Sequence, residues 1–143
     1  MVLKGLGKFW GLAGLRLGFA IGDPALIDRL ATLLGPWPVS GPALAIGTTA
    51  LRDTAWATAT RARLATDAAR LDALIAAAGA RPAGGTALYR LVSAPDAARW
   101  QARLARHRIW TRRFPYSTTW LRLGLPGPEA EWTRLATALK DIR

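Results

Sequence analysis

Gly5-Leu6-Gly7-Lys8-Phe9-Trp10-Gly11-Leu12-Ala13-Gly14-Leu15-Arg16-Leu17-Gly18 sets one lysine in a glycine-rich turn and follows it with an arginine on the way into a β-like segment. Glycine on the N-terminal side of Lys8 lets the backbone bend, and Phe9 and Trp10 offer apolar surface that lowers the cost of the neutral amine. A neutral, nucleophilic lysine is what Schiff-base chemistry requires. An ordinary glycine-rich turn with a solvated lysine fits the same residues. Two phosphate-binding motifs do not: a dinucleotide fingerprint needs glycine where Trp10 stands, and a P-loop needs Ser or Thr where Phe9 stands.

Outward from this loop, helix and strand patterns alternate. Leu15 to Ile21 reads as a buried strand, and Gly22-Asp23-Pro24 supplies a turn, an N-cap and a first-turn proline. The following helix places Leu26, Ile27, Leu30, Leu33 and Leu34 on one face and stops at Gly35-Pro36. Trp37 to Ser40 is a loop, and Gly41 to Leu51 a short helix. Asp53 caps a long helix to Ala78 with a buried stripe through Trp56, Leu64, Ala68, Leu71 and Ile75, and with Arg63, Asp67 and Arg70 on a solvated face. Beyond it come a strand at Thr86 to Val92, a helix at Pro95 to Arg106, and strands at Arg108 to Arg112 and Thr119 to Gly124. The last helix starts at Pro128, buries Trp132, Leu135 and Leu139, and carries acids at its start and Lys140 and Arg143 at its end. The fold class is α/β, ending in a small domain with a mainly antiparallel sheet.

The 143 residues suffice for one compact domain with a true core. Net charge is +11, and seventeen of the twenty basic residues are arginine. Arg99, Arg103, Arg106, Arg108, Arg112, Arg113 and Arg122 follow one another with no acid between, a field that attracts phosphates, carboxylates or nucleic acid. With no cysteine, disulfides, thiolate catalysis and cysteine-bound zinc are excluded. The lone histidine, His107, makes neither a metal site nor a Ser-His-Asp triad and reads as an exposed residue at the end of an Arg-rich helix. Arg16 interrupts the apolar run from Phe9 to Ala20, which is too short to span a bilayer, so no membrane segment and a cytoplasmic location are expected. Most of the seven tryptophans are expected in the core, with Trp10 and Trp37 the exceptions.

The string from Gly7 to Phe19 resembles the pyridoxal-phosphate lysine segment of fold-type I enzymes of the class I/II aminotransferase family. It is most similar to the branch that holds histidinol-phosphate aminotransferases and the threonine-phosphate decarboxylases of cobalamin biosynthesis, and closer to the latter. The likeness continues through Gly35-Pro36-Trp37-Pro38-Val39-Ser40, Ile109-Trp110-Thr111-Arg112-Arg113 and Trp120-Leu121-Arg122-Leu123-Gly124, nearly the whole chain. It implies pyridoxal 5'-phosphate as cofactor, with Lys8 as its Schiff-base and catalytic residue and Arg16 on its phosphate. It implies Arg122 on the substrate carboxylate and Arg112, rather than the adjacent Arg113, on the substrate phosphate or carboxylate.

The same resemblance divides the chain into a remnant of the large cofactor-binding domain (1–52), a linking helix (53–79) and a small C-terminal α/β domain (80–143). The family's remaining cofactor contacts lie upstream of the lysine, and its serine three residues before the lysine is Gly5 here. The expectation is therefore the C-terminal part of a longer enzyme, inactive by itself, whose parent is a homodimer. Its substrate would be a small phosphorylated amino acid, decarboxylated in the first reading and transaminated in the histidinol-phosphate alternative. A noncatalytic basic module binding polyanions is the rival from another class. Nucleic acid is not the expected partner, because no recognised binding motif accompanies the arginines.

Overall fold

A computed structural model describes residues 1–142, and these divide into two compact units, Met1–Ala57 and the remainder from Thr58, the division falling within one long helix. In the first unit, β1 (Val2–Gly5) pairs antiparallel with β2 (Gly18–Ile21), in register from Val2 opposite Ile21 to Gly5 opposite Gly18. Leu6, Leu17 and Ala43 form its buried core, with Trp10, Leu12, Leu15, Phe19 and Val39 packed around them. Helix α1 (Pro24–Leu34) is capped by Asp23, whose Oδ1 accepts from the Ala25 and Leu26 amides at 3.0 and 3.3 Å. Helix α2 (Gly41–Arg52) is capped by Ser40. Helix α3 (Thr54–Ala77) starts where Asp53 Oδ1 accepts from the Trp56 amide at 2.8 Å.

The second unit is a two-layer α/β body. Its four-stranded antiparallel sheet has the order β3-β4-β6-β5, made of β3 (Arg81–Gly85), β4 (Tyr89–Ser93), β5 (Arg112–Phe114) and β6 (Ser117–Gly124). Helices α4 (Ala97–Arg106) and α5 (Glu129–Lys140) join the C-terminal half of α3 in covering one face. Leu71, Ile75, Trp100, Leu104, Trp132, Leu135 and Leu139 meet Val92, Leu121 and Leu123 from the sheet. Successive strand residues point to opposite faces, so the partners Val92 and Leu121 look into this core. The neighbouring partners Leu91 and Arg122 look out. Arg90 bridges to α3, with Nε 2.9 Å and Nη2 2.6 Å from the two oxygens of Asp72.

Several expectations need correction. The strand expected from Leu15 begins only at Gly18, because Ala13–Leu15 forms a 3-10 turn that ends in left-handed Arg16. The face of α1 expected to be buried is open, with Leu26, Leu33 and Leu34 exposed, and Trp56 on α3 is also exposed. Strand β3 was not expected at all: Pro82, Gly84 and Gly85 argue against a strand, yet an edge strand with an irregular register tolerates them. Thr86 to Leu88 form the turn into β4, with Thr86 Oγ1 accepting from the Leu88 and Tyr89 amides. The strand expected at Arg108 starts at Arg112, because Arg108 has φ 60° and the Ile109 amide still donates to Leu104 of α4. Arg143 lies outside the described residues. No helix among those described is long and apolar enough to cross a membrane.

Candidate functional site

The connection between β1 and β2 is closed at its base, where the Leu6 amide donates to the Leu17 carbonyl at 3.3 Å and the Leu12 amide to the Leu6 carbonyl at 3.0 Å. The buried Leu6 and Leu17 side chains anchor it. Within it the Gly11 amide donates to the Lys8 carbonyl at 3.1 Å, and Gly11 has φ 69°, a conformation in which glycine avoids the Cβ penalty. Lys8 opens this turn with its side chain exposed, and among the described residues no hydrogen bond or ion pair holds its ammonium. Arg16 has φ 54° and ψ 33°, a left-handed conformation that costs an L-residue roughly 1–2 kcal/mol. Its guanidinium reaches back to the Ala13 carbonyl at 3.4 Å.

Lys8 and Arg16 line one open cleft of about 400 Å³, together with Gly5, Gly7 and Gly18. An amine and a guanidinium on one concavity suit a ligand with a carbonyl at one end and a phosphate at the other. The aromatic pair beside the lysine plays a different part from the one expected. Trp10 packs on the small core and meets Phe9 edge-on at 4.8 Å between centroids, and the cation over its ring, at 5.2 Å, is Lys4. Lys8 is left open to solvent, not enclosed by aromatic surface. Trp37, held between Pro36 and Pro38 with φ 65°, is 91% exposed.

The second group lies on the outward face of the sheet. Arg112 and Arg122 are directly paired across β5 and β6, so their side chains share one face. Arg113 is paired with inward-facing Leu121. Directly opposed like charges destabilise a sheet, and neither guanidinium has a carboxylate partner among the described residues. Ring faces compensate in part: Arg122 lies 4.7 Å from the centroid of Tyr89 and Arg112 lies 5.8 Å from that of Phe114. Two forked donors on one face can take a ligand with two anionic groups. Sequence reasoning missed Tyr89, because its place beside Arg122 depends on the pairing of β4 with β6.

The other charged pairs are structural. The Arg70 side-chain hydrogen bonds hold the Glu129 carboxyl below the usual carboxylate range, and the two oxygens of Glu129 lie 2.5 and 2.7 Å from the Arg70 guanidinium. Asp72 raises the Arg90 guanidinium in the same way. His107 is not the free exposed residue expected: its Nε2 lies 2.8 Å from Oδ2 of Asp141, joining the ends of α4 and α5. Among the described residues no cluster of His, Cys, Asp and Glu could hold a metal ion.

The family model of aminotransferases of class I and II matches residues 1–139. The chain belongs to this family. It is 46% identical over its whole length to a threonine-phosphate decarboxylase of Pseudomonas aeruginosa and 45% identical over 97% of its length to one of Sinorhizobium. A histidinol-phosphate aminotransferase of Gluconobacter oxydans is 35% identical over 99% of it. The match covers 43%, 41% and 42% of these relatives, so the chain spans about two fifths of the curated relatives it matches. Among solved structures, a putative histidinol-phosphate aminotransferase of Erwinia carotovora superposes on 99% of the chain with a TM-score of 0.85, using 41% of its own length at 18% identity. A histidinol-phosphate aminotransferase of Sinorhizobium meliloti, in complex with pyridoxal-5'-phosphate, superposes on 98% with a TM-score of 0.79, using 40% of its own length at 23% identity. The aminotransferase fold thus runs through both units.

Proposed function

We infer that the chain is the lysine-bearing part of a pyridoxal-phosphate enzyme that decarboxylates threonine phosphate. The observation that carries the cofactor reading is the joint placement of Lys8 and Arg16 on one cleft. The residues fit the group: Lys8 presents an unpaired side-chain nitrogen for the cofactor carbonyl, and Arg16 a guanidinium for its phosphate. When bound, pyridoxal phosphate draws electrons from the bond that breaks at the substrate Cα.

Arg122 holds the substrate carboxylate through a bidentate fork, and Arg112, facing the same way, meets the phosphate. Fixing both ends of the substrate orients its Cα–carboxylate bond. That bond breaks, carbon dioxide leaves, and a proton takes its place on the Cα, giving aminopropanol phosphate. Greater identity to the threonine-phosphate decarboxylases than to the histidinol-phosphate aminotransferases favours decarboxylation over transamination. A place in cobalamin biosynthesis, a cytoplasmic location and a homodimer go with this reading.

The test is covalent mapping. The protein is incubated with pyridoxal phosphate, reduced with borohydride and digested, and label is expected on Lys8. Lys4 and Lys140, the only other lysines, serve as internal controls. Label spread evenly over all three would overturn the cofactor assignment. With threonine phosphate added, carbon dioxide release supports decarboxylation, and a keto product supports the aminotransferase instead.

A further inference from the structure

A second concavity, in the unit that begins at Thr58, belongs to neither group of residues above. It has a volume of about 200 Å³ and lies where the turn after α4 and the end of β6 approach α5. Ile109, Leu123, Leu125 and Leu135 supply the apolar part of its lining, and Trp110, 82% exposed, stands beside them.

Three charged side chains also line it: Arg108, Arg134 and Glu131. Glu131 is already engaged, with Oε2 accepting from the Gly127 amide at 2.8 Å and Oε1 lying 3.8 Å from Arg134 Nη2. Arg108 has no ion-pair partner among the described residues, and the formal sum of the three is one positive charge. The backbone at Arg108 is left-handed, a conformation glycine or asparagine adopts at lower cost, so this position carries a large cation against its conformational preference. Thr111, also lining the cavity, is 3% exposed, and its Oγ1 has no hydrogen-bond partner among the described residues. A buried hydroxyl left unsatisfied is costly, and a polar ligand atom beside it would relieve that cost.

We propose that this cavity binds a small organic monoanion with a compact apolar body, its carboxylate against Arg108 and Arg134 and its body against Ile109, Leu125 and Trp110. The volume is below the roughly 300–1,000 Å³ of drug-sized sites, which limits the ligand to a fragment such as an arylacetate. The single net charge of the lining matches one carboxylate. A phosphorylated amino acid carries more charge and too little apolar surface for these walls.

Phenylacetate titrated into the ¹⁵N-labelled chain is the test. Saturable shifts are expected at the amides of Ile109 to Thr111 and Leu123 to Leu125 and at the Trp110 indole. Arg108→Gly suits the left-handed backbone and removes only the side chain, and it should weaken the dissociation constant about tenfold, as should Arg134→Gln on the exposed side of α5. Arg122→Ala should leave the titration unchanged. Three results overturn the proposal: no saturable shifts at these residues, an equal response to neutral phenylacetamide, or loss of binding in Arg122→Ala with Arg108→Gly unaffected. The last would assign the anion to the outward face of the sheet.

Discussion

At Arg16 the cost to folding and the proposed contact with the cofactor phosphate can be tested by one substitution. Its left-handed backbone favours glycine, so Arg16→Gly should leave the melting temperature unchanged or raise it slightly, as relief of about 1–2 kcal/mol of strain offsets the extra freedom of glycine in the unfolded chain. The same variant should bind pyridoxal phosphate at least about tenfold more weakly, since a charge-assisted contact worth roughly 1.5–3 kcal/mol is lost. Thermal melts paired with absorbance titration check both halves, and a variant that binds as tightly as the parent excludes Arg16 from the phosphate site. That Lys8 and Arg16 stand on one loop was legible in the sequence because a glycine-rich turn keeps its residues local, whereas the roles proposed for them come from the family resemblance. Arg122 was legible as an outward residue between Leu121 and Leu123 by strand alternation alone. Tyr89 beneath Arg122 was not, because the pairing that joins them spans long stretches of chain and leaves no local pattern.

The helices were the readable elements because most carry a start signal of their own. Asp23, Asp53 and Asp96 all accept from amides in the first turns of α1, α3 and α4. Asp96→Ala should therefore destabilise the second unit by about 1 kcal/mol in urea unfolding, with the slope unchanged. Strand boundaries were harder to place, and β3 shows why. Its Gly85 has φ 140°, and a Cβ there would lie within 2.3 Å of the Tyr89 carbonyl oxygen, a backbone atom that cannot swing aside. Gly85→Ala should cost at least about 1–3 kcal/mol, measured by the same unfolding curves, and a neutral effect would show that the β3-β4 hairpin is not formed as described. A residue chosen for an unusual backbone conformation looks, in sequence, like a loop.

At the scale of the whole molecule the two units differ in how much they bury. The first encloses Leu6, Leu17 and Ala43, and it carries most of the exposed large apolar side chains, from Val2 and Leu3 to Leu33, Leu34 and Trp37. The second encloses a continuous core from three helices and a sheet. Opening free energies should follow this difference, so amides of β1 and β2 should exchange with deuterium well before those of β4 and β6. Equal protection in both sheets would contradict the description of the smaller core. The second unit also has a pH signature, because the Arg70 hydrogen bonds depress the Glu129 carboxyl and tie α3 to α5. A carboxyl lowered in the folded state stabilises fully above its unfolded value, and that contribution is lost as pH falls through the folded value. In Arg70→Met the Glu129 titration, followed by carboxyl-carbon resonances, should return toward the ordinary carboxylate range. The acid limb of the unfolding profile should then flatten near that range; an unchanged Glu129 midpoint would remove Arg70 as the cause.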